Sequence, residues 1–137
     1  MPDHEIESKQ KRIRYLVNKI WDGNIKIPNF QRSFVWKTGQ IIKLLYSVYN
    51  DYPIGSILLW ETKEKLRALR NVGGIHLPDP RADYPVNYVL DGQQRLSSLF
   101  GVIHHGADEI EIAPSDIGIE RYDKFNIYFD IDNEVFT

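Results

Sequence analysis

Apolar and polar residues follow two rhythms along this chain, and the changes of rhythm mark its elements. Ile6, Ile13, Leu16, Val17, Ile20 and Trp21 share one helix face and predict an amphipathic helix over 5–22, ended by Asp22-Gly23-Asn24. Ile25-Lys26-Ile27 predicts a short strand stopped by Pro28. Ile41, Leu44, Leu45, Val48 and Tyr52 predict a helix over 39–52, capped by Thr38 and closed by Pro53. Residues 54–60 form an apolar run and predict a buried strand, with Gly55 near its start. A strand over 86–90 passes through Asp91-Gly92 into a helix over 92–105, whose apolar positions 96, 99, 100 and 103 lie on one face. Phe125, Ile127 and Phe129 alternate with polar residues, predicting a half-buried strand over 125–131. Asp132-Asn133 then turns the chain into Val135-Phe136 as a hairpin partner. Residues 61–85, with Gly73-Gly74 and three prolines, read as a long surface excursion, and 106–124 as loop. This order predicts one α/β (α+β) domain over 5–137, a small mixed sheet flanked by helices.

The 137 residues suit a single domain large enough to bury about two-thirds of its unfolded surface. With a net charge of −2, nucleic-acid contact would have to come from a local basic patch. The absence of cysteine removes disulfides and thiolate chemistry, and fits a reducing cytoplasm. No apolar run nears the roughly 20 residues of a membrane span, and no signal peptide is visible. A cytoplasmic location with no membrane partner is therefore expected.

The densest chemistry is Asp91-Gly92-Gln93-Gln94-Arg95, at a strand-to-helix turn. A helix start exposes unpaired N–H groups and the positive end of the dipole, which suits an anion. Arg95 adds a fork matched to phosphate oxygens, and Gly92 lets a ligand near the backbone. The plainer alternative is a capped helix, with Asp91 as N-cap, Gln94 completing a capping box and Arg95 a surface residue. Asn29-Phe30-Gln31-Arg32-Ser33-Phe34-Val35-Trp36 sets Gln31 and Arg32 among aromatics, a setting that would hold Arg32 against a ring or leave it exposed on a packed loop. Gly55-Ser56 would admit a ligand to the backbone, or equally a closely packed helix. Lys63, Lys65, Arg67 and Arg70 are the candidates for touching DNA, with Lys9, Lys11, Arg12 and Arg14 on the first helix behind them; a solvated charged surface is the alternative for both. His104 and His105 face different ways and make a poor metal pair, so a C-terminal dipole role is expected. A nuclease centre at Asp91 would need further carboxylates, and only Glu61 and Asp130 offer themselves, both distant in sequence.

Three motifs stand in fixed order: Ile27-Pro28-x-Phe30-Gln31-Arg32-x-Phe34-Val35-Trp36, Tyr52-Pro53-Ile54-Gly55-Ser56-Ile57-Leu58 and Asp91-Gly92-Gln93-Gln94-Arg95-Leu96. Together they resemble the N-terminal domain family of GmrSD-type modification-dependent restriction systems, a branch of the ParB/sulfiredoxin-like fold. The resemblance implies a domain of bacterial phage defence that binds and hydrolyses a nucleoside triphosphate with Mg2+ or another divalent cation. It puts Asp91 to Arg95 at the phosphates, with Gln31 and Arg32 at the same pocket. In that chemistry Gln93 or Gln94 would orient water, Arg95 and Arg32 would neutralise charge, and Asp91 would hold the metal or act as base. The chain has no P-loop and nothing like an HNH nuclease. The natural protein is therefore expected to continue past 137, with the nuclease in another domain or subunit. A DNA-binding or modification-sensing module without turnover is the alternative, and a dimer is among the allowed states.

Overall fold

The computed structural model describes residues 6–31, 34–73, 75–77, 85–104, 111–112 and 124–137. Its elements are α1 (Ile13–Asp22), β1 (Ile25–Lys26), α2 (Thr38–Tyr49), β2 (Leu58–Thr62), β3 (Asn71–Val72), β4 (Ile75–His76), β5 (Val86–Asp91), α3 (Gln93–His104), β6 (Glu111–Ile112), β7 (Phe129–Asp130) and β8 (Val135–Phe136). The class is mixed α/β, as the order of rhythms predicts.

The main sheet has the order β1-β5-β2, with β1 parallel and β2 antiparallel to the central β5. Tyr88 and Val89 on β5 are buried, consistent with a strand covered on both sides. The core joins Val17 and Ile20 of α1, Ile25 and Ile27, Val89, and Leu96, Leu99 and Phe100 of α3. A small second sheet, β3-β4-β6, adds Val72, Ile75 and Leu77 to that core. Gly101 of α3 is where this sheet docks: a Cβ there would lie 2.6 Å from Phe125 Cδ1 and 2.9 Å from Gly73 O. The β7-β8 hairpin packs its aromatic side on α2, with Tyr46 edge-on to Phe136 at 4.9 Å.

Several boundaries move, each for a physical reason. The first helix begins at Ile13, because Ile6 is 92% exposed and residues 6–12 have no apolar face to bury. The second helix stops at Tyr49: Asn50 caps it, Asp51 takes a left-handed φ of 59°, and Tyr52 is exposed. Thr38 is its first helical residue, and the Gln40 side chain accepts a bond from Lys37 N–H at 2.9 Å. The predicted strand over 54–60 appears four residues later, as 58–62, because Gly55 turns the backbone at φ +91°. Over 125–131 only 129–130 pair as a strand; Asp130 Oδ1 accepts the N–H groups of Asp132 and Asn133 and turns the chain early.

The segment 61–73 is tied down. Buried Tyr88 accepts a bond from Leu66 N–H at 2.9 Å and donates to Glu64 O at 3.0 Å. Ala68 bridges to Pro28, and Leu69 N–H donates to Ile27 O at 2.7 Å, so residues 67–69 run beside the chain that continues β1. Residues 78–84, most of 106–124, and His105 lie outside the described residues.

Candidate functional site

β5 delivers Asp91 to the end of the main sheet, and Gly92, at φ +93°, turns the chain into α3. Leu96 N–H bonds Gly92 O at 3.0 Å, so Gly92 is the helix cap and the exposed Asp91 carboxylate is not. The Asp91 carboxylate makes no hydrogen bond or ion pair among the described residues, while its backbone pairs with Leu58 of β2.

The two residues after Gln93 reach into different loops. Gln94 Oε1 accepts the backbone N–H of Val35 at 2.9 Å and of Trp36 at 3.3 Å. Its Nε2 donates to Gln93 Oε1 at 3.0 Å, and Gln93 is only 6% exposed. A capping box would turn the Gln94 amide back toward its own helix; here it grips the aromatic loop. Arg95 Nη1 donates to Ile54 O at 2.5 Å and Nη2 to Ser56 O at 2.7 Å. The guanidinium lies against Gly55 so closely that a Cβ at that position would collide with Nη1. This close approach is the physical reason for a glycine between Ile54 and Ser56. Gln31 Nε2 lies 3.3 Å from Val89 O and 3.4 Å from Leu90 O, joining the aromatic loop to β5 as well.

Gln31, Gly55, Ser56 and Asp91 to Arg95 are thus brought to one corner, where exposed Phe30, Val35, Leu58 and Leu90 also gather. Arg32, expected beside Gln31, lies outside the described residues. Lys63, Lys65, Arg67 and Arg70 stand apart from the Gly55–Arg95 contact. Thr62, just before Lys63, pairs with Val86 at the opposite end of β5, and Arg70 lies on the segment outside β1, across the sheet from β2. Glu61 pairs with Asn87 and Asp130 sits in the hairpin, so neither shares the Asp91 corner. Among the described residues no group of three His, Asp or Glu could hold a metal ion.

Sequence reasoning missed the receiving groups: the N–H groups of Val35 and Trp36 and the carbonyls of Ile54 and Ser56. Main-chain atoms leave no mark in residue types. It also misassigned His104. The ring stacks on Phe100 and Trp21, with centroids 4.4 and 5.6 Å apart, and burial lowers its pKa despite the bond to Phe100 O. That favours the neutral ring over a charged partner of the helix dipole.

Fold and corner together define a small α/β domain built around a strand–glycine–helix turn that ties two loops to one strand end. Residues 13–136 match the family described as GmrSD restriction endonuclease, N-terminal domain, and the chain belongs to that family. It is also similar to the uncharacterized protein MJ0686 of Methanocaldococcus jannaschii, at 35% identity over 104 residues. The match covers 73% of this chain and 18% of that relative. Among the described residues no helix is long and apolar enough to cross a membrane.

Proposed function

We propose that this chain is the nucleoside-triphosphate-binding domain of a restriction-type protein in bacterial defence against phage, and that it hydrolyses the bound triphosphate. One observation carries the reading: three motifs far apart in sequence meet at the Asp91–Arg95 turn through Gln31, Gln94 and Arg95. Phosphates would lie over Gly92 at the start of α3, where free N–H groups and the helix dipole favour an anion. A guanidinium has five N–H donors, and two of those of Arg95 are spent on Ile54 and Ser56. The others remain for a phosphate oxygen, so Arg95 serves as both brace and charge neutraliser. Gly55, Ser56 and Gly92 line the approach, with Gln31, Gln93 and Gln94 as positioning residues. Arg32 keeps the second cationic role that its motif implies.

For hydrolysis, water attacks the terminal phosphorus, its proton passes to Asp91, and the bond to the diphosphate leaving group breaks. Gln94 is engaged through both amide atoms and Gln93 through Oε1, and among these side chains only the exposed Asp91 carboxylate can take a proton as base. Magnesium is commonly held by one or two carboxylates together with substrate phosphates, so a corner with Asp91 alone fits an ion that arrives on the triphosphate and neutralises its charge. Any DNA cutting would belong to a nuclease domain or subunit elsewhere.

Calorimetric titration with the four ribonucleoside triphosphates and magnesium tests the reading. At least one should bind, and Arg95→Ala should weaken it tenfold or more. Asp91→Asn should keep binding but abolish phosphate release. If none of the four binds, the reading fails; binding without release by the unaltered chain would sink its hydrolytic half.

A further inference from the structure

Phe30 is 71% exposed, yet the chain around it is braced. Gln31 N–H donates to Pro28 O at 3.1 Å, which makes Asn29 and Phe30 the corner of a tight turn. Asn29 N–H donates to Arg67 O at 2.8 Å, and the Gln31 amide is held at the carbonyls of Val89 and Leu90. A large ring on a braced turn, left in water, adds little to the core. Two more apolar side chains of the same corner are exposed, Leu58 at 47% and Leu90 at 39%. A bulge sets them together. The ladder steps from Leu59–Val89 to Leu58–Asp91, so Leu90 and Asp91 both stand against Leu58. Unbroken alternation would send Leu90 and Asp91 to opposite faces of the sheet.

This apolar shelf crosses the end of the main sheet, from the turn after β1 through β5 to β2, and adjoins the turn where phosphates would lie. Gly92 follows Leu90 by two residues, or at most about 7 Å of chain. A ligand that spans both places carries an anionic end and a flat apolar face. None of the three shelf side chains has a hydrogen-bond donor or acceptor, so the shelf grips a surface and reads no polar edge. A ring that is already braced also loses little freedom when a ligand settles on it. We infer that Phe30, Leu58 and Leu90 hold the nucleobase by its face, with the Phe30 ring stacked on the base and the two leucines beneath the nucleoside. The inference rests on the nucleotide reading above, and adds to it the residues that hold the base and the way they hold it.

Calorimetric titration of the full chain with magnesium and two probes tests this. One probe is whichever of the four ribonucleoside triphosphates binds most tightly; the other is inorganic tripolyphosphate, which keeps the phosphates and lacks the base. Tripolyphosphate should bind more weakly than the nucleotide. Stacking one base on an aromatic ring is worth about five- to 150-fold in affinity by alanine substitution. Phe30→Ala should weaken the nucleotide by a factor in that range and leave tripolyphosphate unchanged, and Phe30→Trp should restore nucleotide binding. Leu90→Asn should also weaken the nucleotide alone. Nucleotide affinity unchanged in both Phe30→Ala and Leu90→Asn overturns the inference and leaves the nucleotide reading standing. An equal loss for both probes overturns it too, since Phe30 would then be bracing the loop. So does a dimer that Phe30→Ala dissociates in sedimentation with nucleotide affinity intact, because the shelf would then be a contact between copies. Failure of both probes to bind the unaltered chain removes the phosphate site itself, and the shelf's role with it.

Discussion

Gln94 shows how one side chain can decide a loop. Its Oε1 takes two consecutive N–H groups, Val35 and Trp36, which otherwise have no ladder partner. The Val35 bond is exposed and the Trp36 bond part-buried, so losing their shared acceptor costs about 0.5–1.5 kcal/mol. Gln94→Ala should therefore speed hydrogen exchange at the Val35 and Trp36 amides by up to about tenfold, with a smaller loss of global stability. Unchanged exchange at those two amides would count against the clamp. The sequence marked Gln94 as chemically notable, but offered an N-terminal capping role for it. A capping box and a cross-loop clamp use the same residue at the same helix position, and only the loop that comes to meet the amide separates them.

Among the elements, β5 organises the chain. It pairs with both neighbours of the main sheet, presents Asp91 at one end, and at Tyr88 pins the segment that follows β2. Tyr88→Phe keeps the buried ring and deletes only the hydroxyl, leaving Leu66 N–H and Glu64 O without their partner. The expected cost is about 1–3 kcal/mol, read from urea unfolding, with faster proteolysis near residues 63–70. Most elements were legible because their apolar rhythm is strong: β5 and α3 lie where the pattern puts them, and α1 and α2 form within the same stretches with shortened ends. The anchoring of 61–73 was not legible. Charged residues there give no period, and the ties are a tyrosine hydroxyl and main-chain bonds to Ile27 and Asn29.

For the whole molecule, the contact between α1 and α3 makes stability depend on pH. His104 of α3 stacks against Trp21 of α1, and its folded pKa lies below the unfolded value near 6.5. A lowered pKa means that the unfolded chain binds the proton more readily. The stabilisation is complete above about pH 6.5 and is lost as pH falls through the folded pKa. The melting temperature should drop as pH falls below about 6.5, and His104→Phe should flatten that part of the curve. An identical slope in the variant would assign the loss to other groups. The domain's class, its restriction family and the residues of the corner were readable from motif order. Convergence in space was not, because it depends on loops folding back over a strand end.

The bonds that assemble the corner run from side chains to main-chain atoms at Val35, Trp36, Ile54, Ser56, Val89 and Leu90. Every residue type offers a carbonyl, and all but proline offer an N–H. The two halves of each bond are therefore under unequal genetic constraint. Gln31, Gln94 and Arg95 have few chemical substitutes, while the receiving positions can change identity freely as long as the backbone keeps its course. Proline at 35 or 36 is the exception, since it would delete the donor itself. Relatives of this domain could thus diverge across both loops, remodelling what surrounds the corner, while three fixed side chains preserve its frame.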